Sequence, residues 1–538
     1  MSAPTEPAPT GTVDLRGRTP WSILPALLLG FFMIMVDTTI VNIAIPTLVD
    51  TFDVGLAAVG WVTSAYLLTY AVLLLVAGRL GDRYGPKQVF VVGLVVFTVT
   101  SAWCGLSGSI GMLVVARAFQ GVGAALMTPQ TMALITRVFP AHQRGAAMGT
   151  WGSVAGIATI TGPVLGGLFV ESWGWEWIFF VNVPVGVVAL FFAVRTLPTL
   201  QTDKTSFDVV GVVLSVVGLA ALVFGLQEGE TYDWGQVWGP VSVPLLIGIG
   251  LLVIGLFLAW QHRQGAAALL PLSLFHHRNF SLANVSGMAV SFAMIGIFFP
   301  LTIFLQSTLG LSPLHAALVG LPGSLLSGVI APVAGRLSDR FPAKWIMVTG
   351  FAALAVAAFW LDLVIEPGAE PWSIVLPMLL FGIGTGCVFS PMASLATAGL
   401  DRTTAGAGAG AFNTTRQVGG VIGSAAIIAM LQARLSVTLP AAAADAARTL
   451  PADARQHFLD GFAEAGGSFT GSRGAVDVPA GVPAEVADSI AAAATAAFNE
   501  GFAHAAGQTM LLVVGVLLVG LVAGVAMRPG SGHVAAGG

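Results

Sequence analysis

The stretch GRLGDRYGPK, Gly78 to Lys87, sets five polar or charged groups in ten residues of an otherwise strongly apolar chain. It returns as GRLSDRFPAK, Gly335 to Lys344. Gly78, Arg79, Leu80, Asp82, Arg83 and Lys87 recur 257 positions later as Gly335, Arg336, Leu337, Asp339, Arg340 and Lys344. A segment repeated over that distance marks an internal duplication. The chain therefore reads as two related halves, each with the same charged elbow.

Charged residues make up 9% of the 538 residues and hydrophobic ones 56%, whereas a soluble domain carries roughly a quarter charged residues. So few charges cannot cover a water-facing surface, and a lipid bilayer must face much of the chain. The net charge of −4 is scattered; without a basic face, nucleic acid is excluded as a partner. Cys104 and Cys387 each sit in a long apolar run and read as small core residues rather than a disulfide or metal site. The first apolar run is too long for a cleavable signal and reads as an uncleaved span. Scarce lysine beside abundant arginine and alanine suits a high-GC bacterial genome.

A bilayer core needs about twenty predominantly apolar residues per helix, and the chain offers fourteen such runs. They lie near 22–47, 58–78, 88–107, 110–136, 144–170, 176–196, 208–226, 238–260, 280–308, 314–335, 343–363, 372–399, 405–433 and 507–527. Runs in lipid must be helical, because their backbone groups have to be satisfied within the segment. With the N-terminus in the cytoplasm, inner loops and tails hold sixteen of the 22 Lys and Arg and the short outer loops hold none, as the positive-inside rule requires. Both elbows then face the cytoplasm, so the repeats are parallel, related by an axis along the membrane normal.

The expected fold is an all-α integral membrane protein of fourteen transmembrane helices: two parallel six-helix bundles plus two inserted helices. Its parts are a cytoplasmic tail 1–20, a first bundle 21–196, an insertion with linkers 197–279, a second bundle 280–527 and a cytoplasmic tail 528–538. The second bundle includes a long extracytoplasmic loop, 434–506, with helix near Ala491–Phe498 leading into the last span.

The residues also resemble a known family. GRLGDRYGPK resembles the elbow between spans two and three of the major facilitator superfamily. VDTTIVNIAIP (Val36–Pro46) is similar to the first-span motif of its fourteen-span drug/proton antiporters, and ARAFQGVGAALMTP (Ala116–Pro129) to a fourth-span motif with a buried arginine. GSVAGIATITGPVLGG (Gly152–Gly167) is similar to the fifth-span motif of antiporters. The resemblance implies a proton-coupled multidrug efflux transporter in the bacterial cytoplasmic membrane. It departs at the second elbow, where Pro342 and Ala343 replace Gly85 and Pro86, and at the twelfth span, which lacks a counterpart of Arg117.

Asp37 is the one acid well inside a span. An ionised carboxylate there costs several kcal/mol unless paired or hydrated, and a group that alternates between charged and neutral is what proton coupling needs. Thr38 and Asn42 are close enough in sequence to hydrogen-bond it. Arg117 lies about 10 Å into span four at helical rise, at a depth comparable to Asp37. It either snorkels to headgroups or, as the resemblance implies, joins proton transfer, with Gln120 one turn on.

The glycines of span five, Gly152, Gly156, Gly162, Gly166 and Gly167, with Pro163 among them, allow close helix packing and a bend where the halves seal and part. Asp82, Arg83 and Lys87, with Asp339, Arg340 and Lys344, form an expected cytoplasmic gate around Gly78; an acid near a helix N-terminus and an arginine can bridge the halves. Asn42, Trp61, Tyr66, Gln120, Phe292, Phe299, Asn413 and Gln417 are cavity candidates, although packing is the more frequent fate of such aromatics. Arg416, near mid-membrane in span thirteen, is expected to be structural.

The reading is an exporter of hydrophobic, cationic compounds in exchange for protons, acting as a monomer, with the proton gradient as energy source and no cofactor or metal. The same fold exporting a lipid or endogenous metabolite is the alternative. An enzyme would need a catalytic set such as His-Glu-x-x-His in the spans, which is absent. A channel would use symmetric rings of like residues.

Overall fold

In the computed structural model the described residues are 19–200, 208–229, 231–265, 268–270, 272–338, 341–397, 405–451, 455–456, 458–459 and 484–528. The first half comprises α1 (Leu24–Phe52), α2 (Leu56–Tyr84), α3 (Pro86–Gly105), α4 (Ile110–Val138), α5 (Ala141–Ser172), α6 (Trp177–Phe180) and α7 (Asn182–Thr196). An inserted pair follows, α8 (Val209–Gln227) and α9 (Val243–Gln264), joined through a two-stranded antiparallel ribbon, β1 (Gln236–Trp238) and β2 (Val241–Ser242). The second half comprises α10 (Arg278–Ile303) with a π-helical turn at Phe304–Thr308, α11 (Pro313–Ser338), α12 (Ala343–Val364), α13 (Pro371–Thr397), α14 (Ala405–Ala446) and α15 (Ala484–Ala526).

Among the described residues, thirteen helical stretches are long and apolar enough to cross a membrane. The place of the expected fifth span is taken by α5, whose 32 residues extend about 48 Å at helical rise. Span six is built from two pieces, α6 and α7. Pro184 has no N–H to offer the carbonyl of Phe180 and crowds it, and the helix is interrupted at Val181.

The duplication is legible in the packing. In the first half α1 packs on α5, α2 on α4, α3 on α4 and α3 on α7. Their counterparts in the second half are α10 on α14, α11 on α13, α12 on α13 and α12 on α15. The halves meet along α2 with α14 and along α5 with α11, two contacts that the same repeat interchanges. The inserted helices pack on each other, and α8 also lies against α2 and α14.

The first elbow is a helix–glycine–proline–helix turn. Gly85 closes α2 at φ 93°, a conformation costly for any residue with a Cβ, and Pro86 opens α3 where its missing N–H is harmless. The second elbow has Pro342 as the N-cap of α12 instead.

The expected loop 434–506 is corrected at its two flanks. α14 runs on to Ala446 and α15 begins at Ala484, giving helices of 42 and 43 residues, each about 63 Å long by helical rise against a hydrocarbon core of about 30 Å. The extensions pack on each other: Leu439, Ala443, Ala494, Ala497, Phe498 and Phe502 are buried. Thr438 Oγ1 donates to the Gly501 carbonyl at 2.8 Å. Alanine and glycine let the two backbones come close, which is why an Ala-rich segment became helix rather than loop.

Candidate functional site

Asp37 on α1 and Arg117 on α4 face each other inside the first bundle, with 0% and 1% of their side chains exposed. Arg117 Nη1 donates to Asp37 Oδ2 at 2.5 Å and to Gln120 Oε1 at 2.6 Å, while Nε donates to the Val62 carbonyl of α2 at 3.0 Å. The Tyr66 ring covers the guanidinium, its centroid 4.1 Å from Cζ. A buried pair of this kind holds only if hydrogen bonds compensate the desolvation of both ions, and here partners on four helices contribute them. The snorkelling reading of Arg117 therefore gives way to the paired one.

The other carboxylate oxygen, Oδ1, accepts from Gln120 Nε2 at 2.8 Å and from Asn182 Nδ2 at 3.2 Å. Both amides also donate to Ser101 Oγ, at 3.1 and 3.0 Å. Ser101 in turn donates to the Phe179 carbonyl at 3.0 Å, at the interruption of span six. A closed ring results: Asp37, Gln120, Ser101, Asn182 and back to Asp37. Every group touching the carboxylate is a donor, so the arrangement fits the ionised acid. A proton arriving on Asp37 must displace one of these donors.

Sequence reasoning missed Asn182 and Ser101. The signal was an asparagine two residues before a proline within FFVNVPVG (Phe179–Gly186). The expected helpers of Asp37 are also corrected. Thr38 donates to the Ile34 carbonyl of its own helix at 2.7 Å. Asn42 stands apart, its Oδ1 buried without a hydrogen-bond partner among the described residues.

The remaining candidates divide between the seam and the core. The elbow end of the bundle carries Gly78–Lys87, and the far end is where α1 turns into α2. Near the far end Ser64 of α2 and Ser424 of α14 share a 2.7 Å hydrogen bond, both fully buried. Gln306, in the π-helical turn, donates to the Ile43 carbonyl at 2.9 Å, and Glu171 accepts from Leu314 N at 3.3 Å. A Cβ on Gly167 would stand 2.6 Å from Leu314 Cα. Among the described residues, these hydrogen bonds and close approaches between the halves all lie towards the far end, so the seam is sealed there.

Trp61 is not a bare cavity wall: its Nε1 donates to Glu228 Oε1 at 2.5 Å, tying α2 to the end of α8. Tyr66 and Gln120 belong to the charge network. Phe292 and Phe299 are buried within a hydrophobic cluster that draws on both halves. Asn413, Arg416 and Gln417 lie together on α14, partly exposed. In α5, Gly162 faces Thr39 and the Val36 carbonyl, Gly166 faces Ile40, and Gly167 faces α11. Gly152, Gly156 and Pro163 lie within the same unbroken helix.

At the elbow, Arg79 Nη2 donates to the Ala268 carbonyl of the linker after α9 at 2.7 Å. Lys87 Nζ reaches the carbonyls of Val194 and Leu197 at 3.0 and 2.7 Å, at the C-terminal end of α7, where a cation suits the helix dipole. Gly78 has open space around it. Arg83 lies over Tyr84 and Lys344 over Trp345. Of Asp82 only the backbone, in α2, is described, and Asp339 and Arg340 lie outside the described residues.

Two helical bundles related by a repeat, with charges buried in one of them and a seam between, define a transporter of the facilitator type. Residues 27–424 match the family described as the Major Facilitator Superfamily, and the chain belongs to it. It is similar to an uncharacterized MFS-type transporter of Mycobacterium tuberculosis (strain ATCC 25618 / H37Rv), 47% identical over 79% of this chain and 72% of that protein. It is also similar to the tetracenomycin C resistance and export protein of Streptomyces glaucescens, 34% identical over 82% of each. Among solved structures, a bacterial homologue of the human lysosomal transporter Spinster, inward-facing and unoccupied, has the same fold. Its TM-score is 0.61 at 17% identity, with 94% of this chain and 98% of that chain covered.

Proposed function

We propose that the chain exports hydrophobic drug-like compounds in exchange for protons, by alternating access between its halves. The observation that carries this reading is the Asp37–Arg117 pair, fully buried and ringed by donors in an apolar bundle. Intramembrane ionisable groups of this sort are functional by default. A proton and Arg117 compete for Asp37 Oδ2, so loading the proton releases the arginine from its acid. Arg117 also holds the Val62 carbonyl of α2, two residues from the Ser64–Ser424 seal, which gives proton loading a mechanical route to the seam.

In this reading the elbow end and both termini face the cytoplasm, the seam as described is open towards the cytoplasm, and one chain acts alone without a cofactor. A cationic cargo would compete with the proton for Asp37 once Arg117 has withdrawn. The relative named for resistance to and export of tetracenomycin C supports an antibiotic-like cargo.

The test is ethidium transport in proteoliposomes under an imposed pH gradient, with wild type and Asp37→Asn side by side. Gradient-driven movement that disappears in the variant is the expected result. Equal transport by both proteins would remove Asp37 from the coupling mechanism.

A further inference from the structure

Arg416 lies eleven residues into α14 from Ala405, about 17 Å along the helix at helical rise, which is close to mid-membrane. Among the described residues, no carboxylate pairs with it and none donates to or accepts from its guanidinium. Its electrostatic neighbour is Tyr70 of α2, across the seam. A guanidinium held at that depth without an acid is costly by several kcal/mol. Arg117, the other deep arginine, is paired with Asp37. The side chain of Arg416 is also partly exposed, so its neighbours do not enclose it completely.

The neighbouring tyrosine offers Arg416 only a neutral oxygen. Thr128 Oγ1 donates to the Ala124 carbonyl of its own helix at 2.9 Å. Tyr70, 2.9 Å from that same hydroxyl, must therefore be the donor in their bond. The Tyr70 proton is thus committed away from Arg416. On the α10 side stands Gly287, beside the Phe412 ring and the Arg416 Cβ, so what lies next to the arginine there is apolar and offers it no counter-charge. Tyr66 and Tyr70, with ring centroids 5.9 Å apart, stand between Arg416 and the Arg117 guanidinium and offer a hydrophobic body something to lie against.

We propose that Arg416 is the receptor for an acidic group, a carboxylate or phosphate, on an amphipathic cargo that enters the seam from the elbow end. This deepens the exporter reading and rests on it in one respect: the seam is taken as the cargo's path. It also revises the expected charge of the cargo, because Asp37 is already satisfied by Arg117 while the unmatched charge at the seam is positive. A zwitterion can use both sites in turn, its acid on Arg416 and its cationic end on Asp37 after proton exchange. Arginine suits the role because its planar fork grips carboxylate or phosphate through two parallel hydrogen bonds.

The experiment is equilibrium binding to purified full-length protein in nanodiscs of zwitterionic lipid, with no pH gradient. The probes are N-dansyl-phenylalanine and its uncharged amide, read by tryptophan-to-dansyl energy transfer. Wild type should bind the acid at least tenfold more tightly than the amide. Arg416→Gln should abolish that preference, and Arg416→Lys, which keeps the charge, should retain most of it while showing that the site tolerates substitution. A preference that survives in Arg416→Gln, its absence in wild type, or failure of both probes to bind would each overturn the proposal. Repeating the titration with phosphatidylglycerol in the disc separates the sources of the acid: at least tenfold competition at Arg416 assigns the site to a lipid phosphate, and none assigns it to a soluble acid. Because no gradient is used, loss of coupling to Asp37 would leave this result standing.

Discussion

At the scale of single residues, the energetics of this protein centre on two opposite charges taken out of water. Removing one partner of such a pair typically costs about 3–5 kcal/mol, because the survivor is left buried and uncompensated, whereas neutralising both costs far less. Asp37→Asn should therefore destabilise the protein strongly, since Arg117 has no second acid to turn to in its network. The double variant Asp37→Asn/Arg117→Gln should recover most of the loss. Thermal unfolding in detergent checks this, and a double variant as unstable as the single would count against the pair's energetics. Asn182→Leu is a gentler probe. It removes one donor from Asp37 Oδ1 and one from Ser101 Oγ, and a loss of about 1–3 kcal/mol is expected from the unsatisfied groups.

At the scale of elements, small residues decide where helices touch. Gly167 lets α5 press on the start of α11 at the far end; there a side chain would meet the Leu314 Cα at 2.6 Å and the Pro313 carbonyl at 2.8 Å. Backbone cannot step aside as a flexible side chain can. Gly167→Val should hold the far end of the seam apart, read as greater labelling of a cysteine placed at position 424 by a water-soluble maleimide. Unchanged labelling would mean that the seal forms without this contact. Gly85 plays a different part, since its φ of 93° is what lets α2 turn into α3 within one residue. Gly85→Ala should cost about 1–3 kcal/mol, because a Cβ is poorly tolerated at φ 93° and ψ 135°, and loosen the elbow without touching Asp37.

For the whole molecule, the halves close on each other at the far end through α2 with α14 and α5 with α11, and the first elbow is fastened to its own neighbours. Arg79 holds the linker and Lys87 caps α7, so in this arrangement these two elbow cations serve local structure. The inserted pair is pinned to α2 at both ends, by Trp61 to Glu228 and by Arg79 to Ala268. It is thus positioned to travel with the first half. Transport by rocking requires the Ser64–Ser424 contact to break once in every cycle. Ser64→Cys with Ser424→Cys should form a disulfide that stops transport, with a reducing agent restoring it. Undiminished transport in the cross-linked protein would exclude opening along α2 and α14.

Much of this was readable without coordinates. Hydropathy runs, the asymmetry of basic residues and the repeated elbow pointed to the class and the duplication, and singled out Asp37 and Arg117 as deep charges, because lipid imposes constraints that act locally along the chain. The helix near Ala491–Phe498 was readable, but the run of α14 on to Ala446 and the start of α15 at Ala484 were not, since alanine-rich polar segments take their state from whether a partner helix lies alongside. Nor were Asn182, which reaches Asp37 from 145 positions away, and Ser101 of α3, which accepts from the Gln120 and Asn182 amides that touch Asp37. Hydrogen-bond partnership is a property of which helices converge, and only the tertiary structure brings span six's interruption to face that carboxylate. The same holds for Arg416: sequence placed it in a span, but which side chains meet it there depends on everything packed around it.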